Sequence, residues 1–215
     1  MPPPPEIRIT VVIPAYNEGK SIASVVAQVR AELPDAEIAV VDDGSTDSTA
    51  EIAAQSGATV LSHPFNMGYG VALQTGYKYA ARTRAEFILQ LDADGQHHPC
   101  SCRDLLNALI SGKAEMVIGS RFLSSASYRP PFTRRIGMRL FAWLTSRLIG
   151  QRITDPTSGL IGFSSTLTPF LISRFFPVDF PDADVIVMVH KNGFRIQEIP
   201  ATMQASVAKS MHGGT

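Results

Sequence analysis

The sequence predicts an α/β fold in which a mostly parallel sheet is covered by helices on both faces. Short β-branched runs alternate with stretches of helical periodicity, and polar loops rich in aspartate and glycine follow several of the runs. Strands that alternate with helices of this length imply right-handed crossovers and a parallel sheet. The 215 residues are expected to form one domain, with halves at 7–119 and 120–203 and a flexible tail at 204–215.

The first half of the chain carries the alternation most clearly. The β-branched run 7–13 ends at Pro14, which is typical of a strand buried on both faces. Apolar residues then recur at helical spacing, at Ile22, Val25, Val26 and Val29. The same order continues with predicted strands at 37–41, 58–61, 87–91 and 116–118, and with predicted helices at 21–33, 48–55, 71–81 and 105–110.

In the second half, short strands and helices no longer alternate regularly. Pro130 and Pro131 interrupt the chain, and 134–149 then reads as a long helix with an apolar stripe flanked by arginines. This pattern fits a helix that lies on an anionic surface, and it also fits a core helix with a solvated basic face. A further helix is predicted at 182–192 and a last strand at 194–199.

Composition excludes several classes of function. Nineteen basic and nineteen acidic residues give a net charge of zero, so nucleic acid is not expected as a partner. Cys100 and Cys102 lie too close to suggest a disulfide framework, which favours a reducing compartment. No secretory signal and no apolar run of ~18 residues is present, so a cytoplasmic protein with at most peripheral membrane contact is expected.

Four polar loops follow predicted strands or precede predicted helices. In an open parallel sheet, ligands bind outside the carboxyl ends of the strands, so these loops are where chemistry is expected. Each loop alone also fits an ordinary turn or helix cap. They are PAYNEG (14–19), DDGSTD (42–47), NMGYG (66–70) and LDADGQ (91–96).

The DADGQ segment gives the sharpest prediction. Asp92 and Asp94 follow a buried strand, and two carboxylates so spaced can converge on one hard cation that also binds phosphate oxygens. Gln96 adds a neutral oxygen that can join them. The alternative is an aspartate-rich turn that caps the next helix. The nearby histidines and cysteines at 97–102 have spacing unsuited to a structural zinc site, whereas His97, close to the carboxylates in sequence, fits a contact to a metal ligand or to a phosphate.

Neither a GxxxxGK[ST] nor a GxGxxG sequence is present, so a P-loop and a dehydrogenase fingerprint are both absent. The four loops, together with GSRF (119–122) and TDPTSG (154–159), instead resemble the family 2 glycosyltransferases of GT-A fold. Within that family, the chain is similar to the dolichol-phosphate and polyprenyl-phosphate sugar synthases. The resemblance extends from residue 7 to about 203.

The resemblance implies an inverting transfer of sugar from a UDP- or GDP-linked donor to an acceptor, such as a polyprenyl or dolichyl phosphate in cell-envelope glycan synthesis. It implies Mg²⁺ or Mn²⁺ at a DXD motif, and it makes 7–119 the nucleotide-binding half and 120–203 the acceptor side. Metal contacts carried over by the resemblance are Asp92, Asp94 and Gln96. Donor contacts carried over by the resemblance are Pro14, Ala15, Tyr16, Glu18, Asp43, Gly68, Asp92 and Ala93.

The remaining roles concern the acceptor and the chemistry. The resemblance places Arg121, Arg134 and Arg135 on an acceptor phosphate, which a guanidinium matches bidentately. Asp182 or Asp184 is the candidate general base, and both also fit a helix cap. The tail fits either a loop whose Lys209 and His212 close over the diphosphate or a frayed terminus.

Two alternatives and one departure from the family pattern accompany this interpretation. The chain reads SGLIGF at 158–163 where family members often read SGFR, so an arginine is missing there. A nucleotidyltransferase would also use paired aspartates and a metal, although PAYNEG carries an acid where such enzymes have a basic loop. A non-catalytic module that binds sugar nucleotides or carbohydrate is the other alternative.

Overall fold

A computed structural model of the protein describes residues 7–98, 100–123, 132–179 and 181–203, with the backbone alone at 132–136. The strands are β1 Ile9–Ala15, β2 Glu37–Asp42, β3 Thr59–Ser62, β4 Phe87–Gln90, β5 Met116–Ser120, β6 Ile161–Ser164 and β7 Ile196–Pro200. The helices are α1 Ile22–Glu32, α2 Thr49–Gln55, α3 Tyr69–Arg82, α4 Cys100–Ile110, α5 Phe132–Ile149, α6 Thr168–Leu171 and α7 Ala183–Lys191. A single 3₁₀ turn at Ser165–Leu167 leads into α6.

Within the described part of the chain, the strands form one sheet in the order β3-β2-β1-β4-β6-β5-β7. Strands β1 to β4 pair in parallel, and β5 pairs with β7 in parallel. Only β6 runs against its neighbours β4 and β5. The predicted α/β class with a mostly parallel sheet is therefore confirmed.

Strand β6 and the short helix α6 are elements that the sequence did not predict, and β6 is the one that shapes the cleft. Its four residues read IGFS, and Gly162 interrupts the apolar run by which the other strands are recognised. Its antiparallel position between β4 and β5 brings the segment that precedes it, 154–160, to the edge where β4 ends. This placement supplies one wall of the cleft described below.

The sheet separates two hydrophobic cores. On β1, Val11 and Ile13 face a core that includes residues of α1, α2 and α4, whereas Val12 faces a core that includes residues of α3 and α7. All three valine and isoleucine side chains are fully buried. The alternation of side chains along the strand thus covers both faces of the sheet, as the continuous β-branched run predicts.

Helix α5 is an exception to this packing. Its inner face contains the buried side chains of Thr145 and Ile149, but much of its outer face is apolar and exposed. Among the described residues, no helix combines the length and the hydropathy that crossing a bilayer requires.

Candidate active site

A cleft of about 450 Å³ lies at the carboxyl edge of the sheet. Loops after β1 and β4, the start of α3 and the segments before β6 and α7 form its walls. Predicted site residues that line it are Pro14, Tyr16, Glu18, Asp92, Ala93, Asp94 and Asp182. The structure therefore brings together the PAYNEG loop, the DADGQ segment and Asp182, one of the two candidate bases.

Hydrogen bonds hold the PAYNEG loop against the DDGSTD loop. Asn17 has a φ of 56°, and its Oδ1 atom accepts from the Thr46 amide at 2.9 Å. The Asn17 amide donates to Ser45 Oγ at 2.9 Å, and the Glu18 amide donates to Thr49 Oγ1 at 2.8 Å. Asparagine tolerates the left-handed conformation better than other non-glycine residues, so it fits this tight turn. These hydrogen bonds fix the PAYNEG loop, which lines the cleft, against the DDGSTD loop and the start of α2.

Asp43 is buried and does not line the cleft. Its two carboxylate oxygens accept from the backbone amides of Met67, at 2.8 Å, and Gly68, at 2.9 Å. His63 Nδ1 lies 2.7 Å from Asp43 Oδ1, and the other ring nitrogen of His63 contacts Thr75. Asp43 therefore anchors the loop that leads into α3, and its predicted contact with a nucleobase stays a prediction.

Gly68 precedes α3 with a φ of +98°, and no atom lies within 4 Å of where a Cβ would stand. The glycine is therefore required by backbone conformation and not by a crowded neighbour. Ala15 ends β1, and its carbonyl accepts from the Asp43 amide at 2.9 Å. Neither Ala15 nor Gly68 lines the cleft.

Asp92 is held on two sides. Tyr69 Oη lies 2.9 Å from Asp92 Oδ1. On the other side, a Cβ added to Gly159 would lie only 1.8 Å from Asp92 Oδ2, so the backbone at 159 approaches as closely as a glycine permits. Burial raises the pKa of the Asp92 carboxyl, and the Tyr69 hydrogen bond opposes this shift.

Asp94 shares the cleft with Asp92. Its Oδ1 atom accepts from the backbone amide of Gln96 at 2.9 Å. Burial is again the largest cause that raises the pKa of Asp94, and the Asp92 carboxylate adds to it. Two carboxylates that are partly buried close together destabilise the fold unless a cation neutralises them. This is the arrangement expected of a metal site.

The donor set fits Mg²⁺ or Mn²⁺ that is shared with a substrate. Asp92 and Asp94 offer hard carboxylate oxygens, which these ions prefer. Among the described residues, no group of three or more His, Cys, Asp or Glu is placed to hold a metal ion. A cation at this pair would therefore need further ligands from a bound substrate or from water. Gln96 does not line the cleft, so its side-chain contact with the metal stays a prediction.

The structure distinguishes the two candidate bases. Asp182 lies in the cleft, where burial, then Asp184 and then Asp92 raise the pKa of its carboxyl. Asp184 is exposed on the first turn of α7, and its Oδ1 atom accepts from the Val185 amide at 2.9 Å. Asp182 is therefore the better placed of the two to meet a substrate.

Arg121 is a nearly buried residue that follows β5. Its Nε and Nη2 atoms donate to the two carboxylate oxygens of Asp155, each at 2.7 Å, and Nη2 also contacts Thr157 Oγ1 at 3.0 Å. The backbone amides of Thr154 and Asp155 donate in turn to Glu198 on β7. Arg121 therefore shapes the TDPTSG segment, which forms a wall of the cleft, and its contact with an acceptor phosphate stays a prediction.

Other predicted residues fall outside the described part. The side chains of Arg134 and Arg135 are not described, and Lys209 and His212 lie beyond residue 203. His97 is described and buried, and burial lowers its pKa to about 4, so the ring is neutral near pH 7. A neutral ring brings no positive charge to a phosphate.

Sequence reasoning missed four residues that line the cleft: Tyr69, Thr157, Gly159 and Pro181. Tyr69 stands inside the NMGYG motif, and Thr157 and Gly159 stand inside TDPTSG, so the motifs were recognised but not the members that face the cleft. For these three the signal lay in the motif position, since NMGYG and TDPTSG lie at the carboxyl edge of the sheet. Pro181 belongs to neither motif and precedes the predicted Asp182.

Comparison with known proteins agrees with this geometry. Residues 10–170 match the model of glycosyl transferase family 2. The chain is 30% identical to a UDP-N-acetylglucosamine–dolichyl-phosphate N-acetylglucosaminyltransferase of Methanococcus voltae, over 89% of this chain and 84% of that protein. It is also 30% identical to a polyprenol monophosphomannose synthase of Mycolicibacterium smegmatis, over 92% and 78% of the two chains.

Solved structures give the same result for the fold. Glucosyl-3-phosphoglycerate synthase from Mycobacterium tuberculosis, crystallised with phosphoglyceric acid, superposes with a TM-score of 0.74 at 25% identity, covering 93% of this chain and 71% of that chain. The same enzyme was crystallised with Mn²⁺, UDP and phosphoglyceric acid, and that structure superposes with a TM-score of 0.70 over 92% and 71%. The fold is that of the GT-A glycosyltransferases.

Proposed function

The chain belongs to glycosyl transferase family 2, and from this membership we propose that it transfers a sugar from a nucleoside-diphosphate donor to a polyprenyl phosphate, with inversion at the anomeric carbon. One observation carries the proposal: Asp92 and Asp94 line one cleft together with the PAYNEG loop and Asp182. Relatives named for dolichyl or polyprenol phosphate support this acceptor class.

The donor is assigned to the side of the cleft that the first half of the chain forms. Tyr16 is 47% exposed there and offers a face for a nucleobase or ribose. Asp92 and Asp94 would hold the diphosphate through Mg²⁺ or Mn²⁺, which neutralises charge on the leaving group when bound. UDP and Mn²⁺ in a solved structure of similar fold support this assignment.

The acceptor is assigned to the side formed by Thr157, Gly159 and Asp182. An ionised phosphate acceptor needs no general base, and Asp182 would then accept a hydrogen bond from a hydroxyl group of the sugar. A hydroxyl acceptor would instead give its proton to Asp182, whose raised pKa suits that role. Direct attack of the acceptor oxygen on the anomeric carbon, with the nucleoside diphosphate as leaving group, is a single displacement, which inverts the configuration.

We further propose that α5 rests on the surface of a membrane that contains the acceptor, at its cytoplasmic face. The described side chains of α5 include exposed Trp143 and a stripe formed by Leu140, Leu144 and Leu148. Arg139 and Arg147 are exposed on the same helix, and its sequence contains no acidic residue. A helix with an aromatic and aliphatic face and only basic charges fits an anionic lipid surface.

The donor assignment is tested by thermal denaturation with a panel of nucleoside diphosphates, with and without Mn²⁺. A ligand that binds only the folded state raises the melting temperature by mass action. We expect at least one of UDP and GDP to do so in a Mn²⁺-dependent manner. Asp94→Ala should abolish that shift without unfolding the protein, whereas Asp104→Ala, a surface aspartate on α4, should preserve it.

Transfer itself is tested with labelled UDP- and GDP-sugars and a polyprenyl phosphate. A labelled lipid product that is lost in Asp94→Ala supports the proposed function. Metal-dependent nucleotide binding with no product from any acceptor would instead favour a non-catalytic module. Release of pyrophosphate from a nucleoside triphosphate and a sugar phosphate would favour a nucleotidyltransferase.

A further inference from the structure

Tyr69 begins α3 at the edge of the cleft, where its hydroxyl group contacts two polar side chains. The Tyr69 Oη atom lies 2.9 Å from Asp92 Oδ1 and 3.0 Å from Gln90 Nε2. Tyr77, further along the same helix, has its Oη atom 2.5 Å from Gln90 Oε1. A continuous chain of hydrogen bonds therefore runs from Tyr77 through Gln90 and Tyr69 to Asp92.

The direction of this chain follows from the chemistry of its members. An ionised carboxylate only accepts hydrogen bonds, so Tyr69 must donate its single hydroxyl proton to Asp92. Tyr69 Oη is then an acceptor toward Gln90, which must present its amide nitrogen. The Gln90 oxygen is left to accept the proton of Tyr77. With the amide reversed, Tyr69 would have two acceptors and one proton, and one contact would lack a donor.

The end of the hydrogen-bond chain at Tyr77 and Gln90 is rigid. Tyr77 and Gln90 are 1% and 3% exposed, and the Tyr77 ring packs edge-on against Phe163 and Phe176, with centroids 5.6 Å from each. Buried polar groups that lose a partner are costly, so Gln90 has one favourable orientation. Gln90 in turn restricts where the Tyr69 hydroxyl can stand.

We propose that Tyr69 is a positioning residue that fixes the Asp92 carboxylate before the metal and the donor diphosphate bind. This inference rests on the proposed function. Tyr69 bonds Oδ1, and the backbone of Gly159 closes against Oδ2, so the carboxylate has little freedom to rotate. A ligand that is already ordered loses less conformational entropy when a cation binds it, and so binds the cation more tightly.

A direct contact between Tyr69 and the donor is the competing explanation, because Tyr69 lines the cleft and is 41% exposed. The two explanations differ in their dependence on metal. A positioning residue changes only that part of nucleotide affinity that the metal supplies. A residue that contacts the nucleotide changes affinity with the metal and without it.

The test is calorimetric titration of UDP, and in parallel GDP, in saturating Mn²⁺ and in EDTA. For each protein, the dissociation constant in EDTA divided by that in Mn²⁺ measures how much the metal contributes to nucleotide binding. We expect Tyr69→Phe to reduce this ratio about tenfold, because a hydrogen bond to a charged group is lost. The dissociation constant in EDTA should stay that of the wild type. In the transfer assay, the Mn²⁺ concentration for half-maximal rate should rise by a similar factor.

Tyr79→Phe is the matched control. It removes a hydroxyl from the same helix, where Tyr79 Oη lies 2.8 Å from Glu37 Oε1 and away from the residues that line the cleft. Both of its dissociation constants should equal those of the wild type.

An unchanged ratio in Tyr69→Phe would overturn the inference. So would an equal loss of affinity in Mn²⁺ and in EDTA, which would identify a direct contact with the nucleotide. A wild-type protein without any Mn²⁺-dependent binding of UDP or GDP would instead contradict the proposed function, and the inference would fall with it.

Discussion

Gly159 is the residue whose small size leaves room for the Asp92 carboxylate. A Cβ at this position would lie 1.8 Å from Oδ2 and 2.4 Å from Cγ of Asp92. Such distances are far inside van der Waals contact, and the obstructing atoms belong to a side chain that Tyr69 also holds. The carboxylate cannot give way without breaking that hydrogen bond. The glycine of the TDPTSG segment is therefore a steric requirement of the Asp92 position.

We expect Gly159→Ala to displace Asp92 and to lower Mn²⁺-dependent nucleotide affinity by roughly tenfold or more, because small misplacements of a site group are costly. The measurement is the dissociation constant of UDP or GDP in Mn²⁺. Gly137→Ala on α5 is the control, since its added methyl meets no atom within 4 Å and alanine favours a helix. Wild-type affinity in Gly159→Ala would mean that Asp92 is not confined by this contact.

The sequence predicted which loops form the site better than which side chains face it. Asp92 and Asp94 follow β4 and line the cleft as expected. Asp43 follows β2 in the same way, but its carboxylate is bound by the amides of the next loop. Asp92 and Asp43 look alike in the sequence, since each follows a strand. Whether such a carboxylate lines the cleft depends on where a distant loop passes in space, and Met67, whose amide binds Asp43, is 24 residues away.

At the scale of elements, periodicity predicted every strand of the sheet except β6. The first strand was expected at 7–13 and is observed at Ile9–Ala15, and the last was expected at 194–199 and is observed at Ile196–Pro200. Boundaries shift because hydrogen bonding to neighbours, and not the apolar run alone, decides where a strand ends. For β6, pairing with β4 and β5 supplies what its short sequence lacks.

The exposed apolar face of α5 gives a prediction for this element. We expect the protein to bind vesicles of mixed phosphatidylglycerol and phosphatidylcholine, and to bind pure phosphatidylcholine more weakly, because the exposed charges of α5 are arginines. Leu144→Ser should weaken binding to the anionic vesicles roughly fivefold through lost apolar burial. Cosedimentation with vesicles measures both effects.

Ile110→Ser is the matched variant for this experiment, because Ile110 on α4 is 48% exposed and Leu144 on α5 is 47% exposed. It should bind vesicles as the wild type does. Equal loss in both variants would indicate a general effect of surface hydrophobicity. Vesicle binding that is unaffected by Leu144→Ser would remove α5 from the proposed membrane contact.

At the scale of the whole molecule, the cleft collects acidic groups that the fold does not neutralise by itself. Burial raises the pKa of Asp92, Asp94 and Asp182 above the usual range. A carboxyl whose pKa is higher in the folded state than in the unfolded state binds protons more tightly when folded. Stability therefore falls as pH rises from the unfolded pKa to the folded pKa. At neutral pH, these three groups therefore lower the free energy of unfolding, while the two cores on either side of the sheet maintain it.

This cost predicts a trade between stability and function. At pH 7, we expect Asp92→Asn to raise the melting temperature in the absence of ligand, since it removes a buried charge but keeps the shape of the side chain. The gain should shrink as pH falls toward the ordinary aspartate range, because the raised pKa of Asp92 favours uptake of a proton by the folded wild type. The same variant should lose the additional stabilisation that Mn²⁺ and nucleotide give the wild type.

Asp47→Asn provides a control of opposite sign. The Thr49 hydroxyl is the largest cause that lowers the pKa of Asp47, and the amides of Gly19 and Thr49 add to it. A lowered pKa contributes stability above the unfolded value, and that stability is lost on acidification. Asp47→Asn should therefore lower the melting temperature at pH 7. If Asp92→Asn lowered it as well, the acidic cleft would not be the strained part of the fold, and its cation would have no repulsion to relieve.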